Sequence, residues 1–287
     1  MPRVICAGHV NWDVTLHVDD LPAPDGEARV RERRAATGGS AANVACGLVG
    51  LDVDAGLIGS VGGDTNGTEA RHELAAAGVD TTHVRTVADG TTAVKYIAVD
   101  DRGEVMVFGA AGANEAFDAD ALPASAFASA DHLHLTGQSP TTAARLAERA
   151  REAGLSVSVD PGRRVDGRDF APVLALADVV FLNDREARSV SCDLDGVIVR
   201  KRGSAGAEAT DGDDRHTHRG FAAEAVDTTG AGDAFAAGFL AARLDGAGDD
   251  EALVVANACG ALASETRGAR VDLSWAAVET MRARGLD

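Results

Sequence analysis

The chain has 287 residues, of which 45% are hydrophobic, and this is enough for one large α/β domain with a packed core. Its 45 acidic residues outnumber the 27 basic ones, and the net charge of −18 argues against binding to nucleic acid or to an anionic membrane. The first residues read as a buried strand rather than a signal peptide, and no apolar run approaches the ~20 residues of a membrane span, so we expect a cytoplasmic protein.

Short buried strands alternate with helices along most of the chain, which is typical of a mainly parallel sheet covered by helices. In chain order the predicted elements are strand Val4–Ala7, helix Ala41–Gly50, strand Leu57–Ser60, helix Gly67–Ala77, strand Leu133–Thr136, helix Thr141–Ala153, strands Ser156–Val159, Val179–Leu182 and Val197–Val199, and helices Thr229–Leu244 and Glu251–Thr266. We therefore predict an α/β fold, a three-layer α/β/α sandwich.

Four segments depart from this alternation. Asp13–Val18, Glu27–Thr37, Thr91–Val99 and Glu104–Gly109 alternate polar and apolar residues, as half-exposed strands do, and Asp100–Gly103 between the last two is a hairpin signal. We predict that they form a separate small sheet that serves as a lid over a ligand cleft. Unpaired lid edges favour pairing between subunits, so a homodimer through the lid is expected.

The basic residues are almost all arginines, and Lys95 and Lys201 are the only two lysines. A codon preference for arginine would explain the scarcity of lysine but not the excess of acid. A dense carboxylate surface is best tolerated at high salt, where screening weakens the repulsion between the charges. We therefore expect a halophilic protein.

The run DTTGAGD, Asp227–Asp233, carries the clearest chemical signal. Gly230 and Gly232 stand just before an apolar helix, where unpaired backbone N–H groups and the helix dipole favour an anion. Asp233 lies in the first turn, where the positive helix end is expected to keep its carboxylate ionised. An anion hole beside a carboxylate suits phosphoryl transfer to a hydroxyl, although a capped helix alone would look the same.

Other site types are disfavoured by the order of the residues. Neither lysine follows a glycine, which excludes a P-loop, and the first strand is followed by a single glycine, which excludes a dinucleotide fingerprint. His132 and His134 share a strand face without a third ligand, and the four cysteines form no CxxC pair. We therefore expect neither a zinc site nor a disulfide framework.

The sequence resembles the ribokinase, or PfkB, family of ATP-dependent carbohydrate kinases. DTTGAGDAF matches the C-terminal signature of that family, and TGGSAANVACGLVGL, Thr37–Leu51, resembles the N-terminal one. Asn183–Glu186 matches the N-x-x-E motif, and the order agrees from about Val4 to Ala269. The resemblance implies a single ribokinase-like domain over residues 1–287, with lid strands from about 13–37 and 91–110. It also implies transfer of the ATP γ-phosphoryl group to a sugar hydroxyl, usually a primary one.

The resemblance implies roles for individual residues as well. Asp233 would be the catalytic base, and the backbone of Gly230, Ala231 and Gly232 would form the anion hole. The sugar pocket would be lined by Asn11, Asp13, Gly38, Gly39, Asn43, Gln138 and Arg163. ATP would be bound by Asn183, Lys201, Gly203, Gly206 and Asn257. Magnesium would be held through water by Glu186, and a monovalent cation such as K⁺ would be bound by Asp227 and Thr229.

Departures from ribokinase leave the substrate open. Ser40 replaces a lysine of the N-terminal signature, Gln138 replaces a glutamate of the sugar pocket, and only about ten residues separate Glu186 from the strand at Val197, which indicates the loss of an element.

Charged residues bear on the same question. Arg163 or Arg164, together with Lys95, would suit a carboxylate or phosphate on the substrate, although a surface arginine pair would look the same. The candidates are therefore a neutral pentose or hexose, a nucleoside, an acidic sugar of the 2-keto-3-deoxygluconate type and a sugar phosphate. A non-catalytic sugar- or nucleotide-binding protein is the alternative from another class, and the intact base argues against it.

Overall fold

The computed structural model describes residues 3–285, except for the side chain of Arg164, and it contains two β-sheets and eight α-helices within that range. The strands are β1 (Arg3–Ala7), β2 (Asn11–Val18), β3 (Val30–Gly38), β4 (Asp54–Gly62), β5 (Val84–Val87), β6 (Ala93–Val99), β7 (Val105–Ala110), β8 (His132–Thr136), β9 (Ser156–Asp160), β10 (Val179–Asn183), β11 (Val197–Lys201), β12 (Ala207–Asp211) and β13 (Asp214–His218). The helices are α1 (Ser40–Gly50), α2 (Thr65–Ala76), α3 (Pro140–Glu152), α4 (Ala171–Leu174), α5 (Asp184–Ser189), α6 (Ala231–Leu244), α7 (Asp249–Ser264) and α8 (Trp275–Arg284). Between residues 3 and 285, none of these helices has the length and apolar character needed to cross a bilayer.

The central sheet has nine strands in the order β13-β12-β11-β10-β9-β8-β1-β4-β5. All neighbours pair in parallel except β11 with β12 and β12 with β13, which are antiparallel. Successive residues of a strand point to opposite faces, and β10 shows the result. Phe181 packs edge-on against Phe239 of α6, with ring centroids 5.5 Å apart, while Leu182 belongs to the separate core that α3 and α4 cover. Helices therefore bury both faces of the sheet, and the predicted α/β/α sandwich is confirmed.

The second sheet is the predicted lid. Its order is β3-β2-β6-β7, in which β2 and β6 run parallel while β3 and β7 pair antiparallel with them. Side chains alternate between the two faces, so Ile97 is buried on the inner face whereas Tyr96 and Phe108, which lie opposite each other on β6 and β7, are exposed on the outer face. The period-2 pattern of the sequence thus identified the strands of this sheet, although β7 at its edge is exposed on both faces, with Val107, opposite Ile97, 49% exposed.

The flank after α5 is short, as the spacing of the sequence indicates. Residues 190–196 connect α5 to β11 without a helix or strand. The parallel pairing of β10 with β11 is nevertheless continuous from Val179 to Asn183. The shortening therefore leaves intact the strand ends that carry the site.

Candidate active site

The predicted site residues converge at one edge of the central sheet. Parallel strands end at the same edge, where open α/β sheets bind ligands. Gln138 follows β8, Asp160 ends β9, Asn183 ends β10 and Lys201 ends β11. The helix α6 begins beside Lys201, because a Cβ placed on Gly232 would lie 3.5 Å from the Lys201 Nζ atom. The strand ends and the start of α6 therefore bring together residues that we predicted to bind sugar, to bind nucleotide and to act in catalysis.

Asp13 lies against the two glycines of the N-terminal signature. A side chain at Gly38 would collide with the Asp13 carboxylate, and one at Gly39, whose φ is 100°, would collide with the carbonyl oxygen of His9. Burial raises the pKa of Asp13, and the nearby positive charges of Lys95 and Arg270 lower it. The Asp13 Oδ1 atom is buried and has no hydrogen bond to any residue from 3 to 285. Such an acceptor is well suited to ligand hydroxyl groups.

Further buried polar atoms around Asp13 have no protein partner within the described part of the chain. They are Asn11 Nδ2, Asn43 Oδ1 and both amide atoms of Gln138. Buried polar groups are nearly always hydrogen-bonded in native proteins, so a cluster of exceptions points to a polar ligand. Asn11 is oriented by Asn114, whose Nδ2 donates to Asn11 Oδ1 over 2.7 Å. Asn114 was missed by the sequence analysis, because it lies 103 residues away from its partner.

The start of α6 has the geometry that the DTTGAGD motif predicts. Gly230 has a left-handed φ of 79°, and a side chain there would collide with the carbonyl oxygen of Ala269. The helix begins at Ala231 and carries Asp233 in its first turn. Asn43 Nδ2 donates to Asp233 Oδ2 over 2.8 Å, which joins a residue of the predicted sugar pocket to the predicted base.

The pKa of Asp233 departs from the sequence expectation. Burial raises this pKa, and the hydrogen bonds from Asn43 and Ser40 only partly offset the rise. The charge of nearby Asp160 raises the pKa as well. Desolvation therefore outweighs the helix N-terminus, which alone would favour the ionised form. A carboxylate with a raised pKa is the stronger base towards a hydroxyl proton.

Asp160 and Lys201 form a buried ion pair beside the start of α6. Burial lowers the pKa of Lys201, but the negative charges of Asp160 and Glu186 outweigh it and hold the pKa above its ordinary value. The ammonium group is thus fixed next to the backbone of Gly232. Lys201 was among the predicted site residues, whereas Asp160 was not, although it stands directly before the Pro-Gly-Arg-Arg stretch.

The N-x-x-E motif forms a capping box at the start of α5. Asn183 Oδ1 accepts hydrogen bonds from the backbone N–H groups of Arg185 and Glu186, and Glu186 Oε2 accepts one from the backbone of Asn183. Burial and the charge of Asp160 raise the pKa of Glu186, whereas the charge of Arg163 lowers it. Arg163, which we expected in the sugar pocket, therefore lies near Glu186. The carboxylates of Glu186 and Asp160 share this side of the site, which fits a magnesium ion that keeps most of its ligands as water and phosphate oxygens.

The remaining residues that we predicted to bind nucleotide follow Lys201 in the chain. Gly203 and Gly206 form the turn between β11 and β12, and Gly220 packs directly on Gly206. Asn257 of α7 faces Gly220, and its Nδ2 donates to the carbonyl oxygen of Leu253 over 2.7 Å. Asn257 is buried, and its Oδ1 atom lies toward Gly220.

Asp227 connects the motif to a distant loop. Its Oδ1 accepts from the backbone N–H of Thr229 and its Oδ2 from that of Gly268, both over 2.9 Å. The loop of residues 267–272, from which we expected further ligands of a monovalent cation, is thereby held beside Asp227. Between residues 3 and 285, no three His, Cys, Asp or Glu side chains cluster in a way that could hold a metal ion without other ligands.

Known proteins resemble this chain over almost its whole length. A family model described as "pfkB family carbohydrate kinase" matches residues 1–276. The ATP-dependent ribose-1-phosphate kinase of Halopiger xanaduensis is 54% identical over 279 residues, which cover 94% of each chain. The nucleoside kinase of Methanothermobacter thermautotrophicus is 33% identical over 85% of this chain and 83% of its own length. The structure of Arabidopsis thaliana ribokinase complexed with ribose and ATP has the same fold, with a TM-score of 0.86 at 23% identity over 98% of each chain.

Proposed function

Because the chain belongs to the pfkB family of carbohydrate kinases, we propose that this ATP-dependent sugar kinase phosphorylates ribose 1-phosphate at its primary 5-hydroxyl. The observation that best supports a kinase activity is the hydrogen bond from Asn43 to Asp233. This bond joins the proposed sugar pocket to the proposed catalytic carboxylate. The substrate is supported by the 54% identity to the Halopiger xanaduensis enzyme over almost the full length of both chains.

The geometry supports a direct mechanism. Asp13 accepts hydrogen bonds from two ring hydroxyls, and the backbone at Gly38 and Gly39 lets the ring approach closely. This placement directs the primary hydroxyl at Asp233, which takes its proton. A bond forms between that oxygen and the γ-phosphorus of ATP, and the bond to the β,γ-bridging oxygen breaks. ADP and a sugar bisphosphate are the products.

Charge on the moving phosphoryl group is stabilised from one side. The backbone at Gly230–Gly232 and the Lys201 ammonium group, which Asp160 fixes beside it, would face this group. The Ala231 N–H donates to the carbonyl oxygen of Thr228 over 3.3 Å and would have to leave that partner to bind the phosphoryl group. Asn183, Gly203, Gly206 and Asn257 bind the rest of ATP. Glu186 would hold magnesium through water, and the ion, when bound, would neutralise phosphate charge. The charge of Arg163 acts on Glu186, so we propose that Arg163 contacts the same phosphates.

We further propose that Asp227 and Thr229, together with the loop of residues 267–272, bind a potassium ion. Support comes from the hydrogen bond between Asp227 and the backbone of Gly268, which fixes the loop that closes the anion hole at Ala269. The test compares kcat in KCl and in NaCl of equal ionic strength. Equal rates in the two salts would contradict this site.

A nucleoside is the second candidate substrate, because the Methanothermobacter thermautotrophicus nucleoside kinase is 33% identical. The deciding experiment measures ADP release at high KCl with ribose 1-phosphate, ribose, fructose, adenosine, cytidine and 2-keto-3-deoxygluconate. We expect the highest kcat/KM for ribose 1-phosphate, and ³¹P NMR of the product should show a new phosphate ester on the 5-position. A higher kcat/KM for a nucleoside would favour the second candidate, and ligand binding without ADP release would indicate a binding protein.

Two copies of the protein are proposed to pair through the outer face of the lid, in the cytoplasm, where ATP is available. The support is a cluster of exposed apolar side chains on β6 and β7, in which Tyr96 and Phe108 are 47% and 59% exposed. Strand β7 is also an edge of its sheet. Light scattering should give a dimer for the wild type and a monomer for Phe108→Glu. A monomeric wild type would contradict the proposal.

A further inference from the structure

Lys95 differs from Lys201, Arg270 and Arg168 in that no residue from 3 to 285 pairs with it. Lys201 is bound to Asp160, Arg270 to Glu73, and Arg168 to Glu115. Lys95 has neither a hydrogen bond nor an ion pair within this range, and its side chain is exposed. In a protein of net charge −18, an unpaired ammonium group beside the substrate site needs an explanation.

The fold places Lys95 beside the carboxylate of Asp13. Strands β2 and β6 pair in parallel, with Lys95 directly opposite Asp13, so both side chains project from the same, inner face of the lid. Ile97, two residues further, is buried on that face. The charge of Lys95 lowers the pKa of Asp13, so the two groups are close in space. Gly109 lies opposite Lys95 on β7 and puts no side chain against it.

The charges of the site favour a cation on the sugar side of the cleft, where the charges of Lys95 and Arg270 both act on Asp13. The carboxylates of Asp13, Asp233, Asp160 and Glu186 surround the cleft, and their charges act on one another. A substrate that carries a phosphate dianion would be repelled unless a positive charge stood on its own side of the cleft. Lys201 lies at the opposite end, where it is fixed beside Gly232.

We propose that Lys95 binds the phosphate group of a sugar phosphate and so sets the preference for the phosphorylated over the free sugar, an inference that rests on the proposed function. Lysine recognises phosphate as a point charge with three donors, and a lid residue can close onto the group once the ring hydroxyls are held by Asp13. The alternative role, in which Lys95 only tunes Asp13, would affect phosphorylated and free sugars equally.

The test compares two substrates that differ only in the phosphate. The values of kcat/KM for ribose 1-phosphate and for ribose are measured for the wild type, Lys95→Gln, Lys95→Arg and the control Arg168→Gln, with thermal shifts by each sugar as a readout of binding. Lys95→Gln should lose about 10- to 100-fold for ribose 1-phosphate and change little for ribose. Lys95→Arg should restore part of the loss, and Arg168→Gln should keep the wild-type ratio.

The outcomes separate the inference from the proposed function. A wild type that prefers ribose to ribose 1-phosphate overturns both. If the wild type prefers ribose 1-phosphate but Lys95→Gln loses equally for the two sugars, only the role of Lys95 fails. If Arg168→Gln loses the preference for ribose 1-phosphate and Lys95→Gln does not, the phosphate binds beside Arg168 instead. This outcome also overturns the inference.

Discussion

Two buried histidines should make the protein sensitive to mild acid. His132 and His134 lie on one face of β8, where the Ser158 hydroxyl is 2.7 Å from His132 Nε2 and 2.8 Å from His134 Nδ1. Burial lowers the pKa of His132 to about 3 and that of His134 to about 4. Both rings are therefore neutral in the folded protein down to pH values at which an unfolded histidine is already protonated.

The magnitude follows from proton linkage. An unfolded histidine has a pKa of about 6.5, so only the unfolded state takes up a proton between pH 7.5 and pH 5. Each buried ring therefore lowers the free energy of unfolding by about 2 kcal/mol over this pH range. The stabilisation is complete above pH 6.5 and is lost as the pH falls towards the folded pKa values. Both of those lie below 5, so the size of the loss at pH 5 depends little on their exact positions.

The assay is urea unfolding at pH 7.5 and pH 5 in the same high-salt buffer. His132→Gln should lose about 2 kcal/mol less than the wild type between the two pH values, whatever its stability at pH 7.5. Leu133→Val is the matched control, since Leu133 is equally buried on the same strand but has no charge to gain. A wild type and a His132→Gln variant with the same pH dependence would refute the reasoning.

Three further predictions concern the site. Asp233→Asn should lower kcat by about 100- to 10,000-fold with little change in the sugar KM, and wild-type kcat should fall as the pH drops through the raised pKa of Asp233, because only the ionised form accepts a proton. Asp13→Ala should raise the sugar KM by about 10- to 100-fold and leave the ATP KM near its wild-type value. Gly230→Ala should lower the Tm by several degrees, because its methyl group collides with the Ala269 carbonyl oxygen at a cost of about 1–3 kcal/mol.

Each of these predictions has a control in the same structural setting. Asp245→Asn, at the exposed C-terminal end of α6, should keep wild-type kcat, and near-normal turnover in Asp233→Asn would exclude Asp233 as the base. Asp20→Ala, beyond the end of β2, should leave the sugar KM unchanged. A wild-type sugar KM in Asp13→Ala would show that Asp13 does not bind the sugar. Gly246 also has a left-handed φ, of 93°, but open space around it. A Gly246→Ala variant that loses as much stability as Gly230→Ala would contradict the collision.

Much of the fold was readable because its signals are local. The apolar runs of the inner strands, the period-2 alternation of the lid and the glycines before α6 each depend on neighbours within a few residues. Strands β5, β12 and β13 and helices α4, α5 and α8 were not among the predicted elements. Strand β13, which reads DRHTH, contains no apolar residue, since it lies at the edge of the sheet and is paired on one side only.

The sequence by itself determined where glycine precedes a helix start and which carboxylate stands in the first turn of that helix, and from these we predicted an anion site. Only the tertiary structure decided how those groups are charged and held. Asp160 meets Lys201 across 41 residues, Asn114 meets Asn11 across 103, and Asn43 meets Asp233 across 190. The pKa of Asp233 is raised, against the expectation from its helix, because desolvation depends on all the elements packed around a carboxylate, whereas the helix dipole depends on the local chain alone.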